Sequence, residues 1–171
     1  MNPDQSNTRP VGPFSVLAGE DLTGMRSRLC VLTHDTGVPE AKLPTDNNAL
    51  ALFLLNDEAA DTERTEVEPL IPGKTYRTPL KDAVNPGDAL VLADIGTPAD
   101  KGKLRKLPAT AGVYVQIGIA DAKHAAGDLG SWRYALKLVH VKSADTITGA
   151  ADLAALKAAT LAILQAHGLV A

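Results

Sequence analysis

The sequence predicts a mainly β protein: a small β-barrel or sandwich with an extended N-terminal arm and a C-terminal α-helix. Three observations predict it. Short apolar and β-branched runs recur through residues 16–142, separated by Gly, Pro, Asn and Asp turns, with no helical period between them. The first fifteen residues are polar and carry Pro3, Pro10 and Pro13. From Thr148 onward the pattern changes to an alanine-rich period near 3.6.

Residues 1–15 read as an extended, solvated arm, because prolines at this density favour extended backbone and most of the remaining residues are polar. Arg28–Thr33 is strand-like and runs into the turn His34–Gly37. The apolar run Ala49–Leu55 lies between two polar pairs, too short for a stable helix, and reads as a buried strand. Thr65–Glu68 alternates, and the prolines at 69 and 72 place it at a sheet edge. Further strands are expected at Tyr76–Thr78 and Ala89–Ala93. The run Gly112–Ile119 puts Val113, Val115, Ile117 and Ile119 on one face. Trp132–Val141 puts Trp132, Tyr134, Leu136, Leu138 and His140 on one face. A helix is expected over 148–167, capped by Thr148 and closed by Gly168. One face of it carries Leu153, Leu156, Ile163 and Leu164, for packing on the barrel or on a neighbouring copy.

The β segments also suggest two pseudo-repeated units. Lys42-Leu43-Pro44 matches Lys106-Leu107-Pro108, and the run from Ala49 to Leu55 then falls on Val113 to Ile119. Upstream, Leu29–Leu32 falls on Ala89–Leu92. A repeated β unit that closes on itself removes exposed sheet edges.

Composition excludes several classes of function. The 171 residues carry a net charge of −3, so no basic nucleic-acid face is expected. One cysteine excludes an internal disulfide, and Cys30 reads as a small core residue. No apolar run approaches the ~20 residues of a membrane helix, and the start lacks the apolar stretch of a signal peptide. Gly73-Lys74-Thr75 resembles the end of a phosphate loop, but Glu68 stands where the first glycine is required. His34, His124, His140 and His167 lack metal-ligand spacing, and Ser131 has no sequence-placed base. The acids Asp57, Glu58, Asp61, Glu63, Glu66 and Glu68 lack the glycine of a calcium loop and read as a solvated segment. The basic run Lys101–Lys106 lacks interleaved aromatics and reads as a solvated hairpin arm. No catalytic residue, metal or cofactor is expected.

Residues 80–141 carry an ordered series of motifs. They are Pro86-Gly87-Asp88-Ala89-Leu90-Val91, Gly102-Lys103-Leu104, Ala109-Thr110-Ala111-Gly112, Ile117-Gly118-Ile119-Ala120 and Ala125-Ala126-Gly127-Asp128. This order resembles the capsid-cement, or head-decoration, proteins of tailed bacteriophages. The match covers roughly a third of the chain, and its specificity lies in the order of simple pieces. The resemblance implies a virion structural protein, made in the host cytoplasm, that binds the outer surface of the capsid and stabilises the shell. It implies no catalysis. The partners it implies are the major capsid protein and two further copies in a homotrimer, with no nucleic acid and no membrane. Arg9, Val11 and Phe14 are then the expected capsid contacts of the arm, since Arg and large apolar residues dominate interface energies. The alternatives are a phage tail or connector subunit, and a ligand-binding or enzymatic β-barrel using the acidic cluster.

Overall fold

The computed structural model describes residues 12–50 and 53–141. Arg9, Val11 and the 148–167 segment with Leu153, Leu156, Ile163 and Leu164 lie outside the described residues. Ten strands run in chain order: β1 Phe14–Ala18, β2 Leu29–Thr33, β3 Glu40–Lys42, β4 Phe53–Leu55, β5 Arg64–Pro69, β6 Thr75–Pro79, β7 Ala89–Leu92, β8 Leu104–Lys106, β9 Gly112–Ala120 and β10 Leu129–Val141. Only one 3-10 turn, Pro98–Asp100, interrupts them among the described residues.

The strands form a closed barrel and a five-stranded half-barrel with the same strand order, called the first and second barrel. The first is closed in the order β1-β3-β2-β4-β5, with β5 returning to β1. The second has the order β6-β10-β9-β7-β8, and a parallel bridge from Leu80 to Leu104 brings its two ends together. The first has a parallel seam between β1 and β3, and in the second the single parallel bridge from Leu80, just past β6, to β8 stands in the same place. The backbone hydrogen bonds repeat as well. Ala18 N–H to Glu63 C=O recurs as Leu80 to Asp128, Leu22 to Ala59 as Val84 to His124, and Asn56 to Glu66 as Asp121 to Ser131. Even a side-chain cap recurs: Glu63 accepts from Ala60 N–H as Asp128 does from Ala125.

The pseudo-repeat is therefore real, but its register differs from the sequence match. Cys30 pairs with Phe53 as Leu90 pairs with Gly118, so Phe53 corresponds to Gly118 and not to Ile117. That is one residue from the sequence alignment, and in a strand one residue exchanges the faces. The reason is an exchange of bulk. Phe14, Phe53 and Val67 in the first barrel occupy the places of Tyr76, Gly118 and Trp132 in the second. Phe14 meets Phe53 edge to face at 5.9 Å, and Tyr76 lies 5.5 Å from Trp132. A Cβ on Gly118 would stand 2.3 Å from the Trp132 ring. The buried indole N–H donates to Thr78 Oγ1 at 3.0 Å, at a position where the first barrel has Val16.

Each barrel has its own core. Val16, Ala18, Cys30, Leu55 and Val67 fill the first. Tyr76, Leu90, Leu92, Leu104, Ile117 and Trp132 fill the second. Leu29 and Leu54, on the outward face of the first barrel, belong to the second cluster and join the two. A hydrogen bond crosses the same joint, from Leu29 N–H to Gly102 C=O at 2.8 Å. Beside it, Arg28 Nη1 donates to the carbonyls of Ala99 and Lys101 at 2.9 and 2.8 Å.

Three expectations are corrected. β5 is no edge strand: it pairs with both β1 and β4, and Pro69 is tolerated because it is the last residue of the strand. Ala49 and Leu50 are not strand, because Ala49 and Asn48 N–H groups are drawn back to Asp46 in a turn. The single-face reading of residues 132–140 fails beyond Tyr134. A bulge lies between Tyr134 and Lys137, where Gln116 Nε2 donates to Ala135 C=O, and it turns Leu136 and Leu138 out to solvent. The matching bulge in β9 splits Val113, which is exposed, from buried Ile117.

Two predictions follow from the repeat. Ser27 and Thr62 hold positive φ (64° and 66°) where the second barrel has Gly87 and Gly127. Non-glycine residues there cost about 1–3 kcal/mol, partly offset by the extra chain entropy glycine loses on folding. Ser27→Gly and Thr62→Gly are each expected to raise unfolding free energy by about 0.5–1 kcal/mol in urea titrations. Gly118→Ala is expected to lower it by about 3 kcal/mol.

Candidate interaction surfaces

The sequence-selected residues are not brought together into one site. The acids are dispersed among local tasks. Glu58 accepts from Gly24 N–H at 3.0 Å, Asp57 caps Glu58 N–H at 2.9 Å, and Glu66 accepts from Asn56 Nδ2 at 3.3 Å. Glu68 pairs with Lys74, whose ammonium also lies 5.3 Å over the Tyr76 ring. So Gly73-Lys74-Thr75 serves a turn, with Gly73 at φ 80° and Lys74 N–H bonded to Ile71 C=O. Among the described residues, no group of three or more His, Cys, Asp or Glu is placed to hold a metal ion.

Cys30 is fully buried in the first core, and burial pushes its thiol up to about 12, so it stays protonated and unreactive at neutral pH. His124 accepts the Ser131 N–H on Nε2 at 3.0 Å, and Ser131 Oγ lies 3.2 Å from the same nitrogen. That nitrogen is engaged by the backbone, so the pair braces the turn before β10 and is not arranged as a nucleophile and its base.

The basic run is braced rather than free. Asp100 receives Lys103 at 2.9 Å and Lys81 at 3.1 Å, and Asp88 receives Lys106 at 3.0 Å. These contacts fix the loop that carries Gly102 into the joint. No helix among the described residues is long and apolar enough to cross a membrane.

Phe14 lies in β1, not ahead of it. It faces Val67 across the sheet, covers Phe53 and leaves 40% of its surface exposed at the barrel end. Two open grooves flank the parallel seam of the first barrel. One, of about 230 Å³, is lined by Ser15, Val16, Leu17, Val38, Pro39 and Arg64. The other holds Asp35, Thr36, Glu40, Lys42, Asp61 and Thr62, with Lys42 2.5 Å from Asp35 and Thr36 bonded to Glu40. Neither was visible in the sequence, because each depends on which turn residues the closed barrel brings beside β1. A further apolar surface, Val113, Leu136 and Leu138, lies toward the open end of the β9–β10 ribbon.

No family model matches the chain, and no curated protein matches it. Among solved structures, the N base of the head fiber gp8.5 of bacteriophage phi29 is similar, with a TM-score of 0.56 and 18% sequence identity. The similarity covers 75% of this chain and 98% of that one. At this identity it establishes a shared fold.

The loop clamp has a pH signature. Bonding to Lys103 first, and then to Lys81, holds the Asp100 carboxyl below the usual carboxylate range. As pH falls through ~3.9 the unfolded chain takes up this proton before the folded one, so the stabilisation present at neutral pH is lost from there downward. Asp100→Asn is expected to lower stability at pH 7 by less than about 1 kcal/mol. It should also make the decline of stability between about pH 4 and 2 shallower in denaturant titrations.

Proposed function

We propose that this chain is a structural protein of a bacteriophage virion, bound on the outside of the head, where it cements neighbouring coat subunits. The observation that carries this reading is the fold. A tandem pair of small barrels matches nearly the whole of a phage head-fiber base while the two sequences have diverged to 18% identity. The ordered motifs of residues 86–128, which resemble head-decoration proteins, point to the same place in the virion.

The physical logic suits such a role. A cement must add contacts across a seam without deforming, and β-barrels with paired edges are rigid and resist self-aggregation. Binding is assigned to the arm, with Arg9 and Val11 as anchors and the exposed part of Phe14 at its root. Each arm contributes a modest contact. A homotrimer presents three at once, so occupancy rises through effective concentration.

The test is binding to shells of the phage that encodes this chain, stripped of it and then reconstituted. The full chain is expected to co-sediment with shells and to appear as external density in cryo-EM. Because β1 begins at Phe14, the truncation must stop at residue 11 to leave the barrel intact. Removing residues 1–11 is expected to weaken shell binding by at least about tenfold, roughly 1.4 kcal/mol. The melting midpoint should stay within about 2 °C of the full chain. Shell occupancy that is unchanged by the truncation would remove the arm from the mechanism, and absence of the full chain from shells would remove the reading itself.

A further inference from the structure

The first barrel's parallel seam is closed only in its lower half. β1 pairs with β3 through Leu17 and Ala18, and the ladder stops there. Along β1 the backbone alternates. Ala18 N–H is given to β5 at Glu63 C=O, while Leu17 and Gly19 N–H are given to the β3 side, at Pro39 and Ala41. By that alternation Ser15 also presents its N–H and C=O to the β3 side. Continuing the ladder would require an N–H from residue 39 for the Ser15 carbonyl, and residue 39 is proline. The Ser15 N–H finds no acceptor on the 34–39 turn among the described residues. So the seam splays at Ser15 into the open groove of about 230 Å³ described above.

We infer that this groove takes an extended segment of a partner protein by strand addition at Ser15. The chemistry of the occupant can be read from the walls. The two backbone groups of Ser15, without a partner among the described residues, ask for one N–H and one C=O of an extended chain. Leu17, Val38 and Pro39 ask for an apolar side chain, and Val38 is 42% exposed without one. Arg64 stands across the sheet from Leu17, lines the groove and makes no ion pair among the described residues. It asks for a carboxylate. The preferred segment is therefore extended, with an apolar residue and an acid on the same face, two positions apart. Two hydrogen bonds and one partly exposed ion pair make a weak site, suited to repeated engagement on a multivalent surface. The site stands on the geometry alone and does not require that the partner be a coat protein.

The test uses the full chain, isotopically labelled, titrated with the capped six-residue peptide Val-Thr-Val-Thr-Glu-Thr, which puts valine and glutamate on one face two positions apart. Resonances of Ser15, Leu17, Val38 and Arg64 are expected to shift together, and the Ser15 amide should exchange at least tenfold more slowly with peptide bound. Ser15→Pro removes the offered N–H at a position the barrel does not use, and is expected to abolish binding while leaving the melting midpoint unchanged. Pro39→Ala supplies the missing internal donor and is expected to weaken binding as well, which covers the case in which Ser15→Pro disturbs the fold. Arg64→Gln should weaken the glutamate peptide about fivefold and leave a glutamine version unaffected. Full-strength binding to Ser15→Pro, shifts that map away from β1, or no shift at millimolar peptide would overturn the inference. Shell binding is measured in parallel. Shells bound by a chain that ignores the peptide would leave the virion reading standing without this site, and peptide capture by a chain that ignores shells would do the reverse.

Discussion

The architecture turns on one hydrogen bond, from Leu29 N–H to Gly102 C=O, at a place where a proline interrupts the backbone ladder of each half. In the first barrel Leu17 N–H occupies the carbonyl of Pro39. At the equivalent place in the second barrel stands Pro79, which has no N–H, so the Gly102 carbonyl is left over. On the other partner, Leu107 N–H bonds Ala89 C=O in the second barrel, and its counterpart in the first is Pro44, again without a donor. The β2–β3 ladder ends early and Leu29 turns its N–H outward. A defect in each barrel thus becomes the joint between them. Gly102, at φ 73°, permits the approach, since a Cβ there would lie 2.6 Å from the Leu29 carbonyl oxygen.

Around that bond the remaining features are consequences. Burying the outward faces of Leu29 and Leu54 gives the second core part of its lining from the first barrel. Arg28 can then reach the Ala99 and Lys101 carbonyls, where burial lowers its guanidinium from the usual value but leaves it charged. Lys103 and Lys106 of the basic run are held by Asp100 and Asp88, which keeps the loop carrying Gly102 in place. Two of the four charges in that run therefore act within the fold.

Much of this was legible in the sequence, and what was not has specific causes. The β class, most strand positions and the repeat follow from turn residues and alternation. The register of the repeat does not, because runs such as Ala49–Leu55 and Val113–Ile119 look alike when slid by one residue. Only the exchange of Phe53 and Val67 for Gly118 and Trp132 fixes it, and that exchange is a property of contacts. The alternation of residues 132–140 misleads for a similar reason: a bulge shifts the phase without leaving any mark in composition. Phe14 reads as the end of an arm because Pro13 precedes it, yet its ring is needed to cover Phe53. The groove at Ser15 is the least legible feature, since it arises from a hydrogen bond that Pro39 cannot make with a residue twenty-four positions away in sequence.

Prolines therefore act in opposite senses at different seams. At 79 a proline leaves the Gly102 carbonyl for Leu29 N–H of the first barrel to satisfy, and the result is a fixed joint. At 39 a proline releases the backbone of Ser15 and no described residue satisfies it. An exposed strand edge is ordinarily a liability that folds suppress. Here it is confined to one residue, flanked by an apolar wall and a cation, and set at the root of the arm. A barrel whose other edges are paired can carry one such opening without risking aggregation, because a single unpaired position is too short to template a sheet. The same closure that makes the fold rigid thus limits where it can be joined by another chain.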